Sequence, residues 1–351
     1  MNTLYRIPYQ NALPGSFFAI PSSASEAPTY VSNLFRMESD RNEIVLYTDH
    51  RTIRLVGIFP HDSTEALFGF WETTDDLPLN RRAFAMLEAD AQERGRVVVV
   101  GPLNFNTFHA YRLRLTDAPS WGRFDREPAK PAYYPALLKQ LGFRVRSRFA
   151  SRLIRSNAIP FAYDTKQQLL AGLSQLPFDI IPLNPDTWRQ HEAELFALVH
   201  PIFGANPAYK PISDAQFRLL YNQQYAEKLC PHSSVLFRDR ALGQLVAMSF
   251  CHPNYQLPGT EPDERPVFER DFPRLAKKVL LVRSVGVHPA YRKLGLMSFL
   301  GAYGMLHFRE LYEEVIFCLM RADNFSLHFS NDMDYEEAEY GLFEKVLSIS
   351  K

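Results

Sequence analysis

The sequence predicts an α/β fold made of two successive halves, each mixing strands and helices. Three observations carry this. Short β-branched and aromatic runs lie between polar turns, as strands do. Apolar residues at helical spacing separate those runs. The order strand, strand, helix, strand, short helix, strand then occurs twice, without any residue-level repeat.

Residues 1–40 read as irregular, because Pro8, Pro14, Pro21 and Pro28 interrupt any long element. Strand-like runs follow at Ile44–Tyr47, Ile53–Phe59 and Ala66–Glu72. From Asn80 to Arg94, Phe84, Leu87 and Ala91 recur at helical spacing, and Gly95 stands where a helix stops. Arg96–Val100 reads as a buried strand that ends at Gly101-Pro102. Tyr133–Leu141 is a short amphipathic helix closed by Gly142, and Phe143–Phe149 a further strand. Residues 151–177 read as a connector, with a helix around Thr165–Leu173.

The second half opens with a strand at Phe178–Ile181 and a helix at Pro185–His200, whose apolar side is Trp188, Leu195 and Val199. Ser213 is an N-cap for a helix carrying Phe217, Leu220 and Tyr221. Ser234–Phe237 and Gln244–Cys251 read as a hairpin. Residues 252–275 form a Pro-rich loop, either a lid over a site or a surface excursion. Val279–Val287 is a strand, Arg292–Leu311 a helix and Val315–Met320 a strand. A short helix opens at Ser326–Ser330, and Tyr340–Val346 is the last strand.

Composition removes several function classes. The 351 residues carry 39 Lys plus Arg and 39 Asp plus Glu, so the formal net charge is zero. No global field draws such a chain to nucleic acid or an anionic membrane, and neither is expected as a partner. Cys230, Cys251 and Cys318 are odd in number and widely spaced, which makes neither a disulfide framework nor a zinc pattern. The ten histidines show no metal-ligand spacing, so no metal is expected. Met1–Ser22 lacks the apolar core of a signal peptide, and no stretch approaches a membrane span. The expected location is the cytoplasm.

One stretch carries chemistry. Val285–Met297 reads V-G-V-H-P-A-Y-R-K-L-G-L-M, a strand feeding a turn that opens a helix. The first backbone N–H groups of a helix have no intrahelical acceptor and lie at the positive end of its dipole. An anion is therefore stable there. Gly295 lets the backbone approach a phosphate without an intervening Cβ. Arg292 adds a forked donor and Lys293 a point charge. The same residues also suit a solvated first turn with a packing glycine. The pattern is neither a Walker loop nor a three-glycine dinucleotide fingerprint.

The run V-x-V-x-P-x-Y-R-K-x-G-L-M resembles the acyl-CoA-binding segment of the GCN5-related N-acetyltransferase (GNAT) superfamily. That segment is written Arg/Gln-x-x-Gly-x-Gly/Ala. Here it falls on Arg292, Gly295 and Met297, with Met in place of the final small residue. Val315–Met320 resembles the strand that splays to admit the cofactor, and Asn324 and Ser326 match the polar positions after it. The likeness covers about residues 178–347. In the first half, F-G-F-W-E (Phe68–Glu72), V-G-P-L-N-F (Val100–Phe105) and Y-Y-P-A-L-L-K-Q-L-G-F (Tyr133–Phe143) resemble a subgroup with two such domains in tandem.

The resemblance implies two domains, each a mixed, mostly antiparallel twisted sheet flanked by helices. Residues 1–150 would be a degenerate N-terminal domain, and residues 178–351 the acyl-CoA-binding one. The turn Thr73–Arg82 has no glycine, and Asp75 and Asp76 would repel a pyrophosphate. The first half has therefore lost cofactor binding or never had it.

By the same resemblance, acetyl-CoA or another acyl-CoA is the co-substrate, and the acceptor an amine of a small molecule, amino acid or peptide. Val285, Val287, Arg292, Lys293, Leu294, Gly295, Leu296, Met297, Asn324 and Ser326 would hold the cofactor, its arm pairing with backbone at Ser284–Val287. An amide of that strand would polarise the thioester carbonyl, which places Ser284 and Asn324 at the reacting centre. The tyrosine acid of many family members falls seven residues past Asn324, where this chain has Asn331 beside Ser330. Tyr335 and Tyr340 are near in sequence, and Tyr340 is the candidate acid. Arg283, which interrupts an apolar strand, and Arg321 and Asp323 are candidates for the acceptor. The alternatives are a carrier-protein or aminoacyl-tRNA donor, binding without turnover, and a pseudoenzyme.

Overall fold

The computed structural model describes residues 3–20, 27–159, 171–172, 175–206, 208–256 and 265–348. Its fold is mixed α/β, and the chain divides into two compact units. Unit 1 comprises Met1–Asp117, Arg126–Phe149 and Glu339–Lys351; unit 2 comprises Ala118–Asp125 and Ala150–Ala338. The boundaries thus differ from contiguous halves at 1–150 and 178–351. The expected helix around Thr165–Leu173 lies largely outside the described residues.

In chain order the first elements are β1 (Tyr5–Pro8), α1 (Ser16–Ala19), α2 (Pro28–Glu38), β2 (Asn42–Thr48), β3 (Ile53–Pro60) and β4 (Glu65–Thr73). Then come α3 (Leu77–Glu93), β5 (Val98–Gly101), β6 (Leu113–Arg114), α4 (Tyr133–Gln140) and β7 (Arg144–Arg155). After them lie β8 (Phe178–Pro182), α5 (Pro185–Phe203), α6 (Asp214–Leu220), α7 (Gln223–Glu227), β9 (Val235–Asp239), β10 (Leu245–Pro253) and α8 (Phe268–Asp271). The chain ends with β11 (Val279–Val287), α9 (Leu296–Met305), α10 (Phe308–Leu311), β12 (Glu314–Arg321), α11 (Phe325–His328) and β13 (Glu336–Val346).

Among the described residues of 1–40, β1, α1 and α2 are more regular than the prolines suggested. Pro28 stands at the first position of α2, where its missing N–H has no partner to lose. Val31, Leu34 and Phe35 then face the core of unit 1.

The strands of unit 1 run β1-β2-β3-β4-β5-β13. All neighbours are antiparallel except β4 and β5. The last strand of the chain completes this sheet, with Phe343 opposite Gly101 and Val346 opposite Val98. Its core joins Phe68, Trp71, Phe84, Leu87, Tyr134, Leu138, Phe143 and Phe343, all almost fully buried. The Trp71 and Tyr134 rings meet edge to face at 4.7 Å.

In unit 2 the order is β12-β11-β10-β9-β8, parallel only between β12 and β11. Asn184 and Thr187 form a capping box for α5, and Ser213 and Gln216 another for α6. Val287, Leu296 and Leu300 pack with Val235, Phe237 and Val246 in one core cluster. Cys251, Leu280, Phe308, Tyr312 and Val315 form a second. Cys230, Cys251 and Cys318 are all free and buried. Among the described residues, no helix is long and apolar enough to cross a membrane.

Candidate functional site

The parallel strands of unit 2 part company midway. β11 and β12 pair from Val279 with Glu314 to Val282 with Phe317, and the pairing goes no further. On its other edge β11 stays paired with β10 as far as Val287 opposite Ala247. The register there skips one residue, with Phe250 opposite Ser284 and Cys251 opposite Val282. Arg283 is the extra, bulged residue. A bulge bends its strand and raises the local twist, so it sits where the two strands begin to diverge. The backbone of Ser284–Val287 is thereby left without a strand partner on its β12 side. Ser284 and Val285 are half-buried, and Val287 packs into the core.

Beyond β11 the chain turns sharply. Pro289–Leu294 forms a 3₁₀ turn, Gly295 adopts the left-handed conformation at φ +71°, and α9 begins at Leu296. The helix therefore starts four residues later than the sequence predicts and stops at Met305. A non-glycine residue at Gly295 would pay for the left-handed φ, and nothing stands within 4 Å of where its Cβ would be. Arg292, Lys293, Leu294, Gly295 and Met297 are exposed, whereas Leu296 is fully buried and anchors the turn. Among the described residues, no side chain caps α9. Its first amides thus face an open, cationic corner.

Two contacts fix that corner. The Tyr291 hydroxyl donates to Asp239 Oδ2 at 2.8 Å. The Arg292 guanidinium reaches back to the carbonyls of Val287 at 3.4 Å and Ile202 at 3.2 Å. Ile202, near the end of α5, also lies against Gly286; a Cβ there would meet its Cγ2 at 2.2 Å. Gly286 therefore lets α5 approach the strand. Arg292 acts partly as a brace, a role its motif position did not announce.

Unit 1 closes the equivalent place. β4 and β5 are parallel only to Leu67 opposite Val100. The gap beyond is bridged, because Leu103 N–H donates to Phe68 O and Phe70 N–H to Asn104 Oδ1, each at 2.7 Å. The following helix, α3, is capped by Asp76, which accepts from Leu79 N–H at 2.9 Å. A carboxylate of the protein itself thus holds the position where an exogenous anion would sit. Glu72, without an identifiable partner in the sequence, pairs with Lys130 and hydrogen-bonds Tyr134.

After β12 the candidates scatter. Arg321 makes a two-pronged pair with Asp323, at 2.9 and 2.6 Å, and donates to Asn206. These two acceptor candidates therefore satisfy each other, and the Asp323 carboxyl is held below its usual range by Arg321. Asn324 is exposed and precedes α11 without capping it, and Ser326 is half-buried. Asn331 accepts from Arg152 Nη1 at 2.8 Å, as does Ser330 at 3.0 Å. Tyr335 lies under the same guanidinium at 4.0 Å. Tyr340 belongs to unit 1, is fully buried and donates to Glu127 at 2.5 Å. The hydroxyl of Tyr340, the candidate acid, is thus committed to Glu127.

The site also contains residues that spacing did not reveal. The short segment Ala118–Asp125 belongs to unit 2. Its Arg123 carbonyl accepts from buried Asn254 at 3.0 Å. Asp125 pairs with Lys228 Nζ at 2.8 Å, and buried Phe124 lies 5.5 Å from the Arg283 guanidinium. His252, buried on β10, donates from Nδ1 to Pro253 O at 2.8 Å. Its Nε2 is 3.8 Å from Asp125 Oδ2. Burial, then Lys228, push its pKa down to about 3, so the ring is neutral. Cys251 is packed instead with Cys230 and Tyr312, opposite in facing as adjacent strand residues are.

No family model matches the chain. No curated protein matches it either. Solved structures do. A tandem GNAT protein from the clavulanic acid biosynthesis pathway aligns with a TM-score of 0.52 at 11% identity, over 99% of this chain and 100% of that one. A conserved protein of unknown function from Enterococcus faecalis V583 aligns with a TM-score of 0.53 at 8% identity, over 99% of this chain and 73% of that one. Both alignments span nearly the whole of this chain, and the fold of this chain is the tandem GNAT fold.

Proposed function

We propose that unit 2 binds acetyl-CoA or another acyl-CoA and passes its acyl group to an amine of a small molecule, amino acid or peptide. The observation that carries this is the unpaired β12-side edge of Ser284–Val287 leading into the uncapped, exposed start of α9. The backbone N–H groups after Gly295, with Lys293 and Arg292, hold a diphosphate there. Leu294 and Met297 offer exposed apolar surface beside it. The free edge of Ser284–Val287 hydrogen-bonds an extended amide-bearing arm as a strand would. When bound, acyl-CoA supplies an activated thioester carbonyl.

The residues of the chain do the rest. An N–H of β11 aimed into the gap stabilises the carbonyl oxygen as it gains charge. The Ser284 hydroxyl, at the mouth of the gap, orients the amine. With Asn331 bound by Arg152 and Tyr340 in unit 1, the proton leaves through water. The same missing acid supports a second reading, binding of acyl-CoA without turnover.

Thermal stabilisation by acetyl-CoA tests binding, and release of free thiol from acetyl-CoA with a panel of amines tests turnover. Stabilisation with thiol release supports transfer; stabilisation alone supports the second reading; neither contradicts both.

A further inference from the structure

Arg283 carries a buried guanidinium nitrogen, Nη1, that has no hydrogen-bond partner among the described residues. The residue as a whole is half-buried, so the place is not sealed. Phe124 lies 5.5 Å away, and Cys318, one residue past the last paired position of β12, engages the same guanidinium. Arg283 therefore lies across the fork at which β11 and β12 separate.

Among the described residues no carboxylate lies within ion-pair distance of Arg283, and Asp125 acts on it at longer range. Lys228 is paired with Asp125 at 2.8 Å. His252 is neutral, as its depressed pKa requires. Tyr225, the other near group, is uncharged at neutral pH. A desolvated cation with an unmet hydrogen bond is costly, and such a group marks a place for an anion.

We propose that Arg283 anchors the carboxylate of the acceptor, which makes the acceptor a small amino acid. Beside Asp125 a monoanion is accommodated more readily than a phosphate dianion. A guanidinium and a carboxylate meet as two parallel hydrogen bonds. Ser284 is the next residue, about 3.8 Å away along the backbone. An amine a few bonds from the carboxylate therefore reaches the mouth of the gap. The proposal rests on the acyltransferase reading of unit 2, but its binding step is measurable without turnover.

The test is calorimetric titration of the full chain with the common amino acids and their primary amides, with and without saturating CoA. The expected result is that at least one amino acid binds about 10-fold more tightly than its amide. Arg283→Gln should abolish that preference, and Arg283→Lys should restore part of it. Acetyl-CoA stabilisation should be unchanged in both variants. If every amide binds as well as its acid, or if the preference survives in Arg283→Gln, the proposal is wrong. If carboxylates bind through Arg283 but CoA does not bind, the acyl-CoA reading fails and the anion site stands.

Discussion

Val282 and Phe317 are the last residues to face each other across the parallel strands β11 and β12. Everything proposed for unit 2 follows from what their parting leaves open. A strand edge is a row of unpaired donors and acceptors that any extended group can occupy. Here it runs directly into a helix start that no side chain caps.

Arg292 and Lys293, adjacent in sequence, should behave differently when changed. Arg292 braces two carbonyls, so Arg292→Ala should cost about 1 kcal/mol of stability as well as weaken CoA binding. Lys293 is exposed, and Lys293→Glu should leave the melting temperature almost unchanged while weakening CoA about 10-fold. Thermal melts and CoA titrations of both variants separate the two roles. Equal stability losses would contradict the brace.

Gly286 is required by the approach of α5. Gly286→Ala drives a Cβ to 2.2 Å from Ile202 Cγ2 and should destabilise by about 1–3 kcal/mol. In combination with Ile202→Ala, the loss should be smaller than the sum of the two single losses. Denaturant unfolding of the four proteins completes the cycle; strict additivity would place the strain elsewhere.

Tyr340→Phe should lower stability by about 1–3 kcal/mol, because buried Glu127 loses a donor. Thiol release per folded molecule should not change. A large fall in the rate with intact folding would return Tyr340 to the chemistry.

Two histidines set a pH dependence. Burial lowers His252 in unit 2 and His109 in unit 1 to about 3 from the ordinary 6.5. Below pH 6.5 the unfolded chain takes up protons that the folded chain refuses. Stability is therefore fully present above that pH and falls as the pH drops toward 3. Between pH 6.5 and 5, each histidine should remove at most about 2 kcal/mol. His252→Gln should flatten this part of the curve for unit 2. An unchanged slope would mean that His252 is protonated in the fold.

Much of this was legible from local sequence. Val285–Met297 reveals its turn because strand, cations and glycine lie within a dozen residues, and each does its work on its neighbours. Asp75 and Asp76 are read as barring a pyrophosphate, but not as a helix start; Asp76 caps α3, which begins at Leu77 rather than Asn80. Pro28 misleads because the same residue that breaks a helix interior also opens a helix. The division of Arg292–Leu311 was hidden by its continuous apolar stripe; the left-handed φ of Gly295 sets the start at Leu296, and the backbone at His307 separates α9 from α10. Long-range placement left no local trace. β13 joins β5 across more than two hundred residues, which assigns Tyr340 to unit 1 and leaves Asn324 in unit 2. Phe124 and Asp125 reach Arg283 and Lys228 from a segment with no periodic pattern.

The most direct measurement is calorimetric titration of acetyl-CoA into the wild-type chain and into Gly295→Asp. That substitution puts a carboxylate and a strained φ at the one corner meant for a diphosphate. Measurable binding by the wild type, lost or weakened at least 10-fold in the variant, is the expected result. Equal binding by the two proteins, or none by the wild type, would contradict it.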